Sequence, residues 1–205
     1  CINCDYNGQL QVFNGFTWRD MVGNPAAGIP SVAMGDTAFG GVVAYIFQPG
    51  DTGYVAGEQH GIIVSVEDYM GRQTWGSGFS GAQDMSNLSS AVGMGRRNTD
   101  TILKVAQTTG TFPATSTAIS YGKAGYSDWF LPSSGDLLAI KSNLTNSGIT
   151  NFNTTGTAPG STTRYWSSSI MSNYVGALAP SFDPTAGVCG CAFFESYNIR
   201  PVRYF

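Results

Sequence analysis

The stretch Gly125 to Ile140, GYSDWFLPSSGDLLAI, constrains this chain more than any other, because an aromatic run ends against a helix start with only Leu131 and Pro132 between them. Ser133 and Asp136 have the Ser-x-x-Asp spacing of a capping box, in which each side chain satisfies a free backbone N–H of the first turn. A helix beginning here places Leu137, Ile140 and Leu144 on one inward stripe, and Gly148 ends it. Trp129 and Phe130 then bury where a strand end meets the helix start, and Asp128 is expected to tie the turn through backbone donors. This reading makes the stretch core and turn chemistry rather than a ligand platform.

Such a helix must be carried by a loop-rich chain. Charged residues make up only 11% of the sequence, and 27 of its 205 residues are glycine, against a usual share of about 7%. Ser, Thr, Asn and Gly take over the solubilising role, and they favour turns and short strands over helical bundles. Two apolar β-branched runs, Val42 to Phe47 and Gly61 to Val66, predict buried neighbouring strands. NTDTILKVAQTTG predicts a short helix capped by Asn98 or Thr99, with Asp100 in its first turn. Its inward face would carry Ile102, Val105 and Ala106, and Gly110 would stop it.

Upstream, GQLQVFNGFTWRDM alternates apolar and polar residues around Asn14-Gly15 and predicts a β-hairpin. A Gly- and Pro-rich linker follows. The expected organisation is residues 1–33 as hairpin and linker, the end of a fibre or stalk, and 34–205 as one main domain.

A net charge of -3 and a pI near 4.9, with no basic run to neutralise a phosphate backbone, argue against nucleic acid as a partner. No segment has the roughly 18 consecutive apolar residues of a membrane span. The cysteines lie near the two ends, Cys1 and Cys4 in CINC, Cys189 and Cys191 in GVCGC. Four cysteines allow three pairings, which sequence does not choose among. Disulfides in an oxidising compartment are favoured over a zinc site. A mature chain that begins with Cys is also compatible with a lipid on Cys1.

Four motifs in order, GGVVAYIFQPGDTGYVAGEQHGIIV, GYSDWFLPSSGDLLAI, YWSSS (Tyr165 to Ser169) and IRPVRYF, resemble the Legionella collagen-like adhesin C-terminal family. The likeness covers about Met34 to Phe205. It implies an α+β, C-type-lectin-like fold with two short helices, a small twisted, mostly antiparallel sheet and long irregular loops. In this resemblance Trp166 is core, and the serines after it hydrogen-bond loops that lack regular partners. It also implies ligand-contacting side chains near the C terminus, between YWSSS and RPVR, here Ile170 to Asn198.

Within that segment the ligand-binding candidates are Asn173, Tyr174, Asp183, Phe194, Glu195 and Tyr197, since Tyr and Asn give rigid area and adaptable hydrogen bonds. Tyr174, Phe194 and Tyr197 have the competing role of completing the core. The family's basic or Tyr/Asn-rich stretch is replaced by TAGVCGCAFF, so a polyanion surface is not expected. Bonds from Cys189 and Cys191 to Cys1 and Cys4, stapling the hairpin to the display segment, are slightly favoured over a Cys189–Cys191 ring.

Catalysis has little to stand on. His60 is the only histidine, so no two-His metal site exists and a Ser-His-Asp triad would have to use it. Only Glu58, Glu67, Glu195 and scattered aspartates offer carboxylate pairs. GDTGYVAGE lacks the alternating ligands of a calcium loop and reads as a turn held by Asp51. No cofactor and no metal are expected. The sequence points to an extracellular or cell-surface domain whose partner is a glycan or a surface protein. A homotrimer is expected from the fibre-end segment, and the alternative is a self-assembling appendage subunit. Thr37 and Thr101, in DTA and DTI, resemble bacterial O-glycosylation acceptors.

Overall fold

The structure, a computed structural model, describes residues 2–4, 10–13 and 18–20 as backbone, and 31–79, 85–123, 125–144, 151–154, 162–172 and 175–205 in full. Among the described residues it is α+β, with three helices and small antiparallel sheets. Strands β1 (Ile2–Cys4), β2 (Leu10–Phe13) and β3 (Trp18–Asp20) form an antiparallel meander. The β2–β3 hairpin is the expected one with a longer connection. Phe13 pairs with Trp18, so four residues separate the strands where an Asn14-Gly15 turn would leave two.

The central sheet has the order β11-β6-β5-β4, with β4 at Thr37–Ala38, β5 at Gly41–Ile46, β6 at Gly61–Val64 and β11 at Val202–Tyr204. The expected neighbouring strands are β5 and β6, antiparallel, with a register shift between Val43 and Tyr45. Their apolar runs are continuous because both faces are covered. One face, through Val42, Ile62, Val64 and Val202, packs on Leu137, Ile140 and Leu144. The other, through Val43 and Ile63, packs on Tyr121 and Trp129.

The helices are α1 (Gly95–Ala106), α2 (Pro113–Ile119) and α3 (Ser134–Leu144). For α3 the capping box is as the sequence implies: the Asp136 N–H donates to Ser133 Oγ at 3.0 Å and the Ser133 N–H to Asp136 Oδ2 at 2.8 Å. The stripe of Leu137, Ile140 and Leu144 is buried, while Gly148 lies outside the described residues. Helix α1 starts a turn earlier than expected, with Met94 as N-cap. Asn98 and Thr99 are buried inside it, binding neighbouring loops rather than capping: Asn98 exchanges bonds with Ser89, and the Thr99 hydroxyl donates to the Leu131 carbonyl. Ala106 faces solvent, so of the three residues expected on the inward face Ile102 and Val105 are buried. Helix α2 is an addition to the two expected helices. Its Ser, Thr and β-branched content hides it in the sequence, and Pro113 in the first turn starts it.

The run Trp129-Phe130-Leu131 feeds three different clusters. Trp129 joins Tyr121 behind the sheet, Phe130 joins the α3 side, and Leu131 joins a third core built on Trp75, Ile102, Phe112 and Trp166. Phe130 and Val202 exchange backbone hydrogen bonds at 2.8 and 3.1 Å, locking this run to β11. Asp128 does not tie its own turn. Its carboxylate takes a two-pronged bond from the Arg203 guanidinium, Nε to Oδ1 at 2.7 Å and Nη2 to Oδ2 at 2.9 Å, while the guanidinium stacks on Tyr126 at 3.9 Å. A planar fork matches a carboxylate better than turn amides do, and it links the stretch to the chain end.

Candidate functional site

The display segment is hung on YWSSS. Tyr165 and Ser167 donate backbone bonds to Pro180 and Leu178 on β8 (Ala177–Pro180), and Trp166 donates to the Asn198 carbonyl on its other side. The serines behave as expected of a spine between loops: Ser167 Oγ donates to Leu178, Ser168 Oγ to Pro132 and Ser169 Oγ to Ser89. Trp166 is fully buried, and its indole N–H donates to the Gln73 carbonyl at 2.8 Å.

Strand β8 turns back into β9 (Val188–Cys191), pairing Pro180 with Val188 and Ala177 with Cys191. Asp183 lies in the connection at the far tip. It accepts from the Thr185 N–H and hydroxyl at 2.8 and 2.7 Å, and these bonds hold its carboxyl below the ordinary value. Behind this tip Lys141 of α3 donates to the Ser181, Asp183 and Ala186 carbonyls. No sequence pattern marks Lys141 for this task, since one lysine on a helix surface has no local signature.

After β9 the chain makes a tight turn, the Glu195 N–H donating to the Ala192 carbonyl, and enters β10 (Ser196–Tyr197) beside β7 (Gln73–Thr74). The turn sends two phenylalanines opposite ways. Phe193 packs on Trp75 and Phe79 with centroids 5.0 Å away, whereas Phe194 is 78% exposed. Tyr197 is buried edge-on against Trp166 at 4.7 Å, and its hydroxyl donates to Glu195 Oε2 at 2.9 Å. Burial, with that bond to a carboxylate, pushes the phenol up to about 12.

The six candidates thus divide. Phe194, Glu195 and Tyr197 share one corner, Tyr197 as core beneath it. Asp183 is at the opposite end of the β8–β9 hairpin, and Asn173 and Tyr174 lie outside the described residues. Cys189 and Cys191 are placed as a pair with each other rather than as the slightly favoured staple, whose other partners, Cys1 and the Cys4 side chain, lie outside the described residues. Alternate residues of a strand point the same way, so these two sulfurs meet on one face without a long-range closure. Their sulfurs and a Glu195 carboxylate oxygen all lie within 4.8 Å of one another.

The chain matches no protein-family model and no curated protein. The likeness to the adhesin family therefore stands on the four motifs alone. Their residues are accounted for by packing: in IRPVRYF, Arg200 is fully buried, 2.8 Å from Asp68 and stacked at 4.1 Å on Phe152, while Arg203 holds Asp128. The Arg200 Nε to Asp68 Oδ1 contact is off hydrogen-bond angle and acts as a Coulombic one. Asp51 accepts from the Tyr45 hydroxyl and the Gln48 N–H, the turn expected of GDTGYVAGE. His60 is buried, with Nε2 at 2.9 Å from Glu58 and Nδ1 at 3.1 Å from the Phe205 carbonyl. A cavity of about 280 Å³ near α1 and α2 has Arg96 and Asp100 as its charged lining, and they pair with one another at 3.3 Å.

Proposed function

We propose that this chain is a non-catalytic, extracellular or cell-surface binding domain of C-type-lectin-like type, which presents the corner around Phe194 to a glycan or surface protein. The observation that carries this reading is the exposure of Phe194 in a turn anchored on both sides, by Phe193 packed on Trp75 and by Tyr197 packed on Trp166. An exposed large ring costs hydration unless a partner covers it, and a turn anchored on both sides loses little backbone entropy on binding. Glu195 beside it supplies a hydrogen-bond acceptor for a hydroxyl or amide. His60 and Asp51, the groups that catalytic or calcium readings would need, are engaged by their own neighbours, which supports a binding role.

A second reading, a self-assembling appendage subunit, is favoured by β9. Among the described residues it pairs with β8 alone, and Val188 on it is exposed, so its outer edge suits strand addition by another copy. No helix among the described residues is long and apolar enough to cross a membrane.

The test is a glycan and surface-protein array probed with the wild-type chain and with Phe194→Ala, alongside light scattering on a sizing column. Binding lost in Phe194→Ala, with a monomer or closed trimer, supports the binding tip. Wild-type binding that survives the substitution overturns the assignment of this corner. Open, concentration-dependent assembly makes β9 a self-association edge instead.

A further inference from the structure

Cys189 and Cys191 are two sulfur donors that the binding role does not use, and they lie beside Glu195. Both cysteines project from one face of β9, and the intervening Gly190 faces the other way, where the Met171 side chain fills the position a Cβ would take. Glu195 reaches the sulfur face from the following turn, and one carboxylate oxygen is fixed by the Tyr197 hydroxyl. Cys191 is buried, whereas Cys189 and Glu195 are partly exposed, so the cluster has a protein side and a solvent side.

We infer that this cluster is a redox-gated site for a thiophilic divalent cation of the zinc class. Zinc is held tetrahedrally by thiolate and carboxylate ligands at about 2.0–2.3 Å, which places ligand atoms about 3.3–3.8 Å apart. The three donors lie within 4.8 Å of one another, and breaking the Cys189–Cys191 bond lets the two sulfurs part to that spacing. Two thiolates and one carboxylate fill three positions and leave the fourth open toward solvent. The Tyr197 hydroxyl orients Glu195, as an outer hydrogen bond orients a metal-ligating carboxylate.

In the oxidised chain the Cys189–Cys191 bond occupies both sulfurs and the site is closed. A dithiol reductant opens it: two electrons and two protons pass to the cysteines, the S–S bond breaks to two thiols, and the reductant becomes its own disulfide. Cation binding then displaces the two thiol protons to solvent. Partial exposure of Cys189 gives the reductant a sulfur to attack.

The experiment is a cobalt(II) titration of the full chain, oxidised and after reduction, reading the thiolate-to-cobalt charge-transfer band. The expected result is a one-to-one band in the reduced chain only. It should be abolished in Cys189→Ala and Cys191→Ser, and it should persist in Cys1→Ser/Cys4→Ser. In Glu195→Gln the band should remain with affinity weakened roughly tenfold or more. Circular dichroism on each variant establishes that it is folded, and the oxidised wild type is a control without any substitution. A band that is absent from the reduced wild type, that depends on Cys1 and Cys4, or that ignores Glu195→Gln overturns the site.

Discussion

The Tyr204 hydroxyl donates to the Asp136 carboxylate at 2.9 Å and accepts from the Gly95 N–H at the same distance, so one side chain of the last strand joins the starts of α1 and α3. Asp136 is fully buried and also accepts from the Gly93 and Ser133 N–H groups. Gly93 has φ +82, and a Cβ there would land on the Thr52 carbonyl, so only glycine delivers that donor. Tyr204→Phe removes one donor from a buried carboxylate and is expected to cost about 1–3 kcal/mol in denaturant unfolding.

Burial raises the Asp136 carboxyl above its ordinary 3.8, against the pull of those donors, and the same cause raises Asp68 beside Arg200. The folded chain therefore keeps these protons to higher pH than the unfolded chain. This contribution is full below 3.8 and is lost as pH rises through the raised folded values. Asp136→Asn is expected to flatten that part of the dependence of Tm on pH above 3.8, besides lowering Tm. An unchanged slope would place the raised carboxyl elsewhere.

Arg203→Lys keeps the charge but loses both the fork on Asp128 and the stack on Tyr126. The expected loss is about 1–2 kcal/mol, read by chemical denaturation. A lysine that restores full stability would reduce this contact to a simple ion pair.

Ser169→Ala removes a hydroxyl that accepts from the Ser134 N–H at 3.0 Å and donates to the Ser89 carbonyl at 2.8 Å. The buried Ser134 N–H is left without that acceptor, whereas the half-buried Ser89 carbonyl keeps its bond from Asn98, and unfolding should show about 1–3 kcal/mol of lost stability.

Neighbouring aromatics should behave in opposite ways. Phe194→Ala is expected to change stability by less than about 0.5 kcal/mol. Tyr197→Ala empties a core position against Trp166 and should cost about 3–5 kcal/mol. Thermal melts of the two variants separate surface from core.

Much of the central sheet and α3 is legible because their signals are local. Val42 to Phe47, Gly61 to Val66 and the Ser133–Asp136 box each carry a pattern that neighbours in sequence enforce. The start of α1 is misread for the same reason: Asn98 and Thr99 look like caps, and only distant loops at Ser89 and Leu131 give their side chains better partners inside the helix. The candidate corner is half legible. Phe193, Phe194 and Tyr197 are similar as letters, and the turn at Ala192–Glu195 alone decides which of them faces water.

Local patterns specify a loop-rich α+β chain with little charge, the paired inner strands, the capped helix and the serine spine, because hydrophobic runs and capping act over a few residues. Long-range packing is what gives Asp128 to Arg203, sets Lys141 behind the Asp183 tip, and brings Cys189 to Cys191 beside Glu195. The first two contacts join residues far apart in the chain, and the last depends on which way a strand and a turn face. None leaves a periodicity or spacing to read, so the fold has to bring the partners together before the chemistry exists.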